Sequence, residues 1–279
     1  MKLLNFLLVL FIMLGLISCS EKKEKISIIK EENLEMQMIE AYNEGLKELD
    51  RGDIFFAAKK FNEVELLYPQ SIWAPRSTLM AAYAYYSQLY FTDAIYEIER
   101  FLDKYKNHPN TDYAYYLLAI CHYNQIVNEK KDLGEIIKAK KYFNFLVQEF
   151  PNTDFAEDAQ FKLELIEEIL ASKELYLANY YVEREKWIPA MNRYKKIVNE
   201  YDTTIFVEEA LFRLVELHYK LGLIDEAKKY TVLLGYNYQS SDWYERSYKI
   251  LNSNYVNPEI NTDLDKQKSL LNKFKELFQ

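Results

Sequence analysis

The chain has 279 residues with 35 basic and 43 acidic side chains, a net charge of −8 that argues against nucleic acid as a partner. Six Gly and six Pro disfavour sandwiches and barrels, which turn about every ten residues. A hydrophobic content of 49%, with 25 Tyr and 16 Phe, supplies a large core, and two cysteines build no disulfide framework.

The N-terminus places one cation, Lys2, before an apolar run of 15 residues, Leu3 to Ile17. That run is short for a spanning helix, which needs about 20 residues, and reads as a secretory signal. The order Leu16-Ile17-Ser18-Cys19 resembles a bacterial lipobox. It implies that Cys19 receives a diacylglycerol, that the chain is cut before it and that the new amino group is acylated. Loss of residues 1–18, which carry Lys2 and no acid, moves the net charge from −8 to −9. A mixed-charge stretch follows, "SEKKEKISIIKEEN", and residues 19–35 read as a flexible tether.

Beyond it the chain repeats. Gly45, Gly52, Ala57, Phe61 and Pro69 fall at the offsets of a tetratricopeptide repeat: small residues where helix A crosses helix B, then an aromatic, then a proline that ends helix B. The pattern recurs as Ala82, Ala94, Ile98 and Pro109, as Ala119, Ala139, Phe143 and Pro151, as Ala178, Ala190 and Tyr194, and as Gly222 and Ala227. Five helical pairs and an all-α solenoid are expected. The helix B alanines are spaced by 37, 45, 51 and 37 residues against a standard period of about 34, so the two enlarged steps carry insertions. Residues 128–135 read as a long loop. Residues 153–186 hold unbroken helical periodicity without Gly and with no Pro, and predict one long helix, or two nearly in line, that bridges the two halves. The tail, 237–279, contains Leu264, Leu270, Leu271, Phe274 and Phe278 at helical spacing, as either a cap on the fifth repeat or a partner-docking helix.

Catalytic signals are lacking, and no enzyme is expected. His108, His122 and His218 lie in different repeats without metal-ligand spacing, and Cys121, inside "YYLLAICHY", reads as core. What such repeats offer is a concave wall built from their helices A. Helical counting puts Tyr42, Tyr83, Tyr86, Tyr113, Tyr116 and Tyr123 toward that wall, wide apolar faces with polar tips suited to aromatic peptide side chains. Arg76, near the start of the second helix A, offers a fork for a carboxylate.

The lipobox, together with "HPNTDYAYY" and "YYVEREKWIPAMNRY", resembles the BamD family, lipoproteins of the β-barrel assembly machinery of the Gram-negative outer membrane. The resemblance covers residues 19 to about 236. It implies a non-enzymatic scaffold without cofactor, held by lipid to the outer membrane and facing the periplasm. Its implied partners are the POTRA region of the barrel-forming subunit BamA and unfolded outer membrane proteins, with other assembly lipoproteins as further candidates. Residues 36–152 would then be the client-binding half and 153–236 the docking half. Candidate docking residues on the C-terminal wall are Glu209, Phe212, Glu216, Tyr219 and Lys220. The alternative within the same fold is a generic periplasmic adaptor lipoprotein that recruits a protease or cell-wall enzyme.

Overall fold

The computed structural model describes residues 31–126 and 133–252. Among them it contains helices and turns only: α1 (Glu31–Arg51), α2 (Ile54–Leu67), α3 (Trp73–Ser87), α4 (Phe91–Lys104), α5 (Thr111–Tyr123), α6 (Gly134–Glu149), α7 (Asp154–Glu183), α8 (Trp187–Glu200), α9 (Val207–Lys220), α10 (Ile224–Asn237) and α11 (Asp242–Leu251). Sequential helices pack on one another, so α1–α10 form the five expected pairs and α11 lies across α9 and α10. The lipobox, the tether up to residue 30, most of the expected loop at 128–135 and the stripe Leu264–Phe278 lie outside the described residues. Two boundaries differ from expectation. Helix α1 already begins at Glu31, inside the expected tether, and α6 takes in Gly134 and Glu135 of the expected loop.

The repeat alphabet works because helices can approach closely only where side chains are small. Ala57, Ala94, Ala139, Ala190 and Ala227 are all fully buried. Four residues on, one helical turn along the same face, Phe61, Ile98, Phe143 and Tyr194 are fully buried as well. Gly45 shows the tolerance of the first crossing, since a Cβ there would lie 2.7 Å from the Phe61 ring. The turns between paired helices share a device too. Gly52, Leu89, Glu185 and Gly222, each five residues before the helix B alanine, adopt positive φ of 84°, 65°, 55° and 77°. Leu89 and Glu185 hold this conformation against the steric preference of side chains for negative φ.

Helix α7 is one continuous element of 30 residues, about 45 Å long. Thr153 caps it by accepting from the Ala156 amide at 3.2 Å. Its buried residues, Ala156, Ala159, Leu163, Ile166, Leu170, Ala171, Glu174 and Ala178, trace one stripe along its length. Through it the helix packs against α6 and then α8, joining the third repeat to the fourth. Buried Glu174 accepts from Arg193 at 2.9 Å and Lys196 at 2.7 Å, tying α7 to α8. Glu65 plays the same part between α2 and α4, where Arg100, Lys104 and Tyr105 all reach its carboxylate. Among the described residues no helix is long and apolar enough to cross a membrane.

Candidate functional site

The second and third helices A, α3 and α5, set a run of aromatic rings along one face. On α3, Tyr83 and Tyr86 lie 6.4 Å apart between ring centroids. On α5, Tyr113 and Tyr116 flank Phe155 of α7 at 5.5 and 5.0 Å. Tyr116 donates to Asp158 Oδ2 at 2.8 Å. Tyr123 continues the row, 6.2 Å from Phe143 and with the Lys162 ammonium 5.4 Å over its ring. Burial, reinforced by the neighbouring hydroxyls of Tyr83 and Tyr86, pushes the Tyr113 phenol up to about 12. Burial and the Asp158 carboxylate push the Tyr116 phenol higher still. Both therefore stay neutral at every physiological pH.

These rings differ in access. Tyr83 is 39% exposed, whereas Tyr86, Tyr113, Tyr116 and Tyr123 are half-buried. Tyr42 is a correction to the sequence reading. It is only 5% exposed, wedged between Phe61 and Trp73 at 5.4 and 5.2 Å, and belongs to the core of the first repeat. Its reading as wall fails because Phe61 of α2 and Trp73 of α3 close over it. Exposed Arg76 uses it as a floor, with the guanidinium 5.5 Å from the Tyr42 ring and 5.6 Å from Trp73. Arg76 and Tyr83 are seven residues apart on α3, so they share a face at about 10 Å separation. A cation, then an exposed ring, then a half-buried aromatic strip can receive an extended segment with aromatic side chains and a negative terminus.

Sequence reasoning missed the contribution of α7. Phe155, Asp158 and Lys162 complete the wall, and their spacing of three and four residues was the available signal.

The candidate docking residues of the C-terminal half are divided by the structure. Phe212 is a second correction: it is 5% exposed, its ring tilted against Trp243 at 5.1 Å, because α11 covers that face of α9. Glu209 and Glu216 are bridged on α9 by Arg213, which donates to Glu209 Oε1 at 3.3 Å and to Glu216 Oε2 at 2.8 Å. Tyr219, 45% exposed, and exposed Lys220 remain at the surface. The Lys220 ammonium sits 3.9 Å over the Trp187 ring of α8. A similar pair lies one helix away, with the Arg184 guanidinium 3.5 Å over Tyr180.

Groups with catalytic chemistry are occupied elsewhere. Buried His122 Nδ1 lies 2.6 Å from Glu135 Oε2, and the His218 Nδ1 lies 2.7 Å from the Leu214 carbonyl. Burial raises the Cys121 thiol to about 12, which leaves it protonated and inert.

The profile of the YfiO family, described as outer membrane lipoprotein, matches residues 34–233. The outer membrane protein assembly factor BamD of Caulobacter vibrioides is 36% identical over 242 residues, which is 87% of this chain and 78% of that one. The protein of the same name from Rickettsia prowazekii is 34% identical over 256 residues, 92% of this chain and 98% of that one. Among solved structures, the TPR2AB domain of yeast Sti1 is 14% identical with a TM-score of 0.43, covering 78% of this chain and 82% of that one. With most of its length matched by the profile and by relatives at this identity, the chain belongs to the BamD (YfiO) family of outer membrane lipoproteins.

Proposed function

We propose that the chain is a non-enzymatic scaffold of the outer membrane β-barrel assembly machinery, tethered through lipid on Cys19 to the periplasmic face of the outer membrane. The observation that carries this reading is the 36% identity over 242 residues to a protein named as an assembly factor. In this reading the wall from Arg76 through Tyr83, Tyr86, Tyr113, Tyr116 and Tyr123 engages the aromatic C-terminal strand of unfolded barrel proteins. The exposed end of α9, with Tyr219 and Lys220, takes part in docking to the POTRA region of the barrel-forming subunit. The chemistry of the wall supports the first assignment: neutral phenols grip aromatic side chains, and one cation stands within reach of a terminal carboxylate.

The test is affinity purification from detergent-solubilised envelopes of the native host, read by mass spectrometry. The expected main partner is a barrel protein with periplasmic domains. Recovery of a soluble protease or cell-wall hydrolase in its place would make the chain an adaptor of another kind. The same preparation tests the anchor, because residue 19 should carry acyl mass and Cys19→Ala should leave the chain unprocessed or released from the membrane.

A further inference from the structure

At the end of the solenoid where the N-terminal segment enters α1, the last residues of α2 and the turn that follows them toward α3 are apolar and bare. Leu66 is 81% exposed, Leu67 54% and Ile72 84%. The turn is fixed to the start of α1, since Tyr68 Oη donates to Gln37 Oε1 at 2.9 Å across a cleft of about 510 Å³ shared by both elements. Met36, 71% exposed, lies on that first stretch of α1.

The fold does not ask for leucines here, and the other repeats show it. An aromatic residue ends each helix B, at Tyr68, Tyr105, Phe150 and Tyr201. The two positions before it are Asp103-Lys104, Gln148-Glu149 and Asn199-Glu200 in the second to fourth repeats, all exposed. Leu66 and Leu67 occupy positions that the second to fourth repeats give to solvated polar groups, while the fifth, which ends at Tyr238, has Tyr236-Asn237 there, so the leucine pair is particular to the first repeat. An apolar cluster of this kind marks a contact surface.

What covers it follows from the chain that leads to it. Residues 20–30 alone separate Cys19 from α1, a contour of at most about 40 Å. They carry Lys22, Lys23, Lys25 and Lys30 against Glu21 and Glu24, in a chain whose total charge is −8. Glu31, Glu32 and Glu35 follow these lysines directly, so what ties the turn to the bilayer is the shortness of the segment together with the apolar cluster, not net charge. The geometry points to a lipid surface: Leu66, Leu67 and Ile72 rest in the headgroup–acyl boundary of the membrane that holds the N-terminal segment. This inference rests on the membrane-anchoring part of the proposed function. It makes the turn a second point of attachment, which acts on orientation, since two points fix the angle of the solenoid where one tether leaves it free.

The test reconstitutes the full chain in vesicles of phosphatidylethanolamine and phosphatidylglycerol that contain a phospholipid photoactivatable near the glycerol end of its acyl chain. Adducts are mapped by peptide mass spectrometry. The turn at 66–72 should be labelled at least about fivefold more than the equivalent turn at 103–109, as expected for an interfacial apolar contact. The double variant L66E/L67E should lose most of that labelling while its vesicle sedimentation and melting curve stay unchanged, because both side chains are exposed. Equal labelling of the two turns, or undiminished labelling in L66E/L67E, overturns the proposal. So does a turn left unlabelled in vesicles but cross-linked to a protein in native envelopes, which would make it a protein interface. An acylated Cys19 and an uncleaved Leu3–Ile17 run both hold the same end at the bilayer, so the labelling can be read in either case. Mass spectrometry of residue 19 judges the lipid anchor separately.

Discussion

Replacing Tyr83 by alanine removes the most exposed ring of the aromatic wall, and the structure makes it the substitution that separates binding from folding. A tyrosine buries about 200 Å² when fully covered, and 39% of Tyr83 is still open, so a bound strand can cover roughly 80 Å² more. At about 25 cal/mol per Å² that area is worth about 2 kcal/mol, a loss of affinity of roughly thirtyfold. The cost to stability should be under about 1 kcal/mol, since the side chain lies at the surface. Tyr116→Ala behaves differently. It opens a cavity beside Phe143 and Phe155 and strips Asp158 of its phenol donor, so about 3–5 kcal/mol of stability goes with it. The assay is anisotropy titration of a labelled peptide ending in a phenylalanine carboxylate, paired with calorimetric melting of each variant. Tyr83→Ala should weaken binding at nearly unchanged melting temperature, whereas Tyr116→Ala should lower the melting temperature by on the order of 10 °C. A well-folded Tyr83→Ala protein that binds with wild-type affinity would refute the assignment of this wall.

Gly235→Ala would place a Cβ 2.6 Å from the Tyr244 ring and lever α11 away from α10, at a cost of about 1–3 kcal/mol. Limited proteolysis should then cut α11 early and Trp243 emission should shift to the red; an unchanged digestion pattern would mean that the cap does not depend on this contact. Acid should act through Glu65. Burial alone would raise its carboxyl, but the hydrogen bond from Lys104 and the charge of Arg100 outweigh burial and hold it below its ordinary 4.5. A folded-state value below the unfolded one means stability that is present above about pH 4.5 and is lost as pH falls through the depressed value. Denaturant unfolding between neutral pH and about pH 3 should therefore show a shallower acid decline for Glu65→Gln than for the wild type, starting from a lower neutral-pH stability. Parallel profiles would show that the carboxylate does not govern the acid limb.

The five pairs were legible because the repeat encodes a local necessity. A helix crossing tolerates only small residues, so alanines recur at the crossings and the large partner follows one turn later, as Ala57 and Phe61, Ala94 and Ile98, Ala139 and Phe143 do. The long helix was legible for a related reason: from Asp154 to Glu183 nothing breaks the helical ladder, while every buried position keeps one stripe. The turns were read only in part. Among the described residues, two of the four left-handed positions carry the expected glycine, but Leu89 and Glu185 take the same conformation, with no residue type to announce it. There the packing of the flanking helices overrides local preference.

Site residues were harder to read because exposure is not a property of one helix. Helical counting places Tyr42 and Phe212 on the same kind of face as Tyr83 and Tyr219, and within their own helices the four are equivalent. What divides them is the neighbour: Trp73 and the closure of α3 cover Tyr42, Trp243 of α11 covers Phe212, while Tyr83 stays open beside Tyr86. The same logic explains why Glu209 and Glu216 read as free acids in sequence yet share Arg213 in the fold. Between them on α9, at the fourth and third helical offsets, Arg213 was placed to do so, and offsets part of the negative charge that a basic partner would have read. Lys220 differs from these paired acids: its ammonium lies at the surface over Trp187, a geometry that would complement an acidic group on a partner.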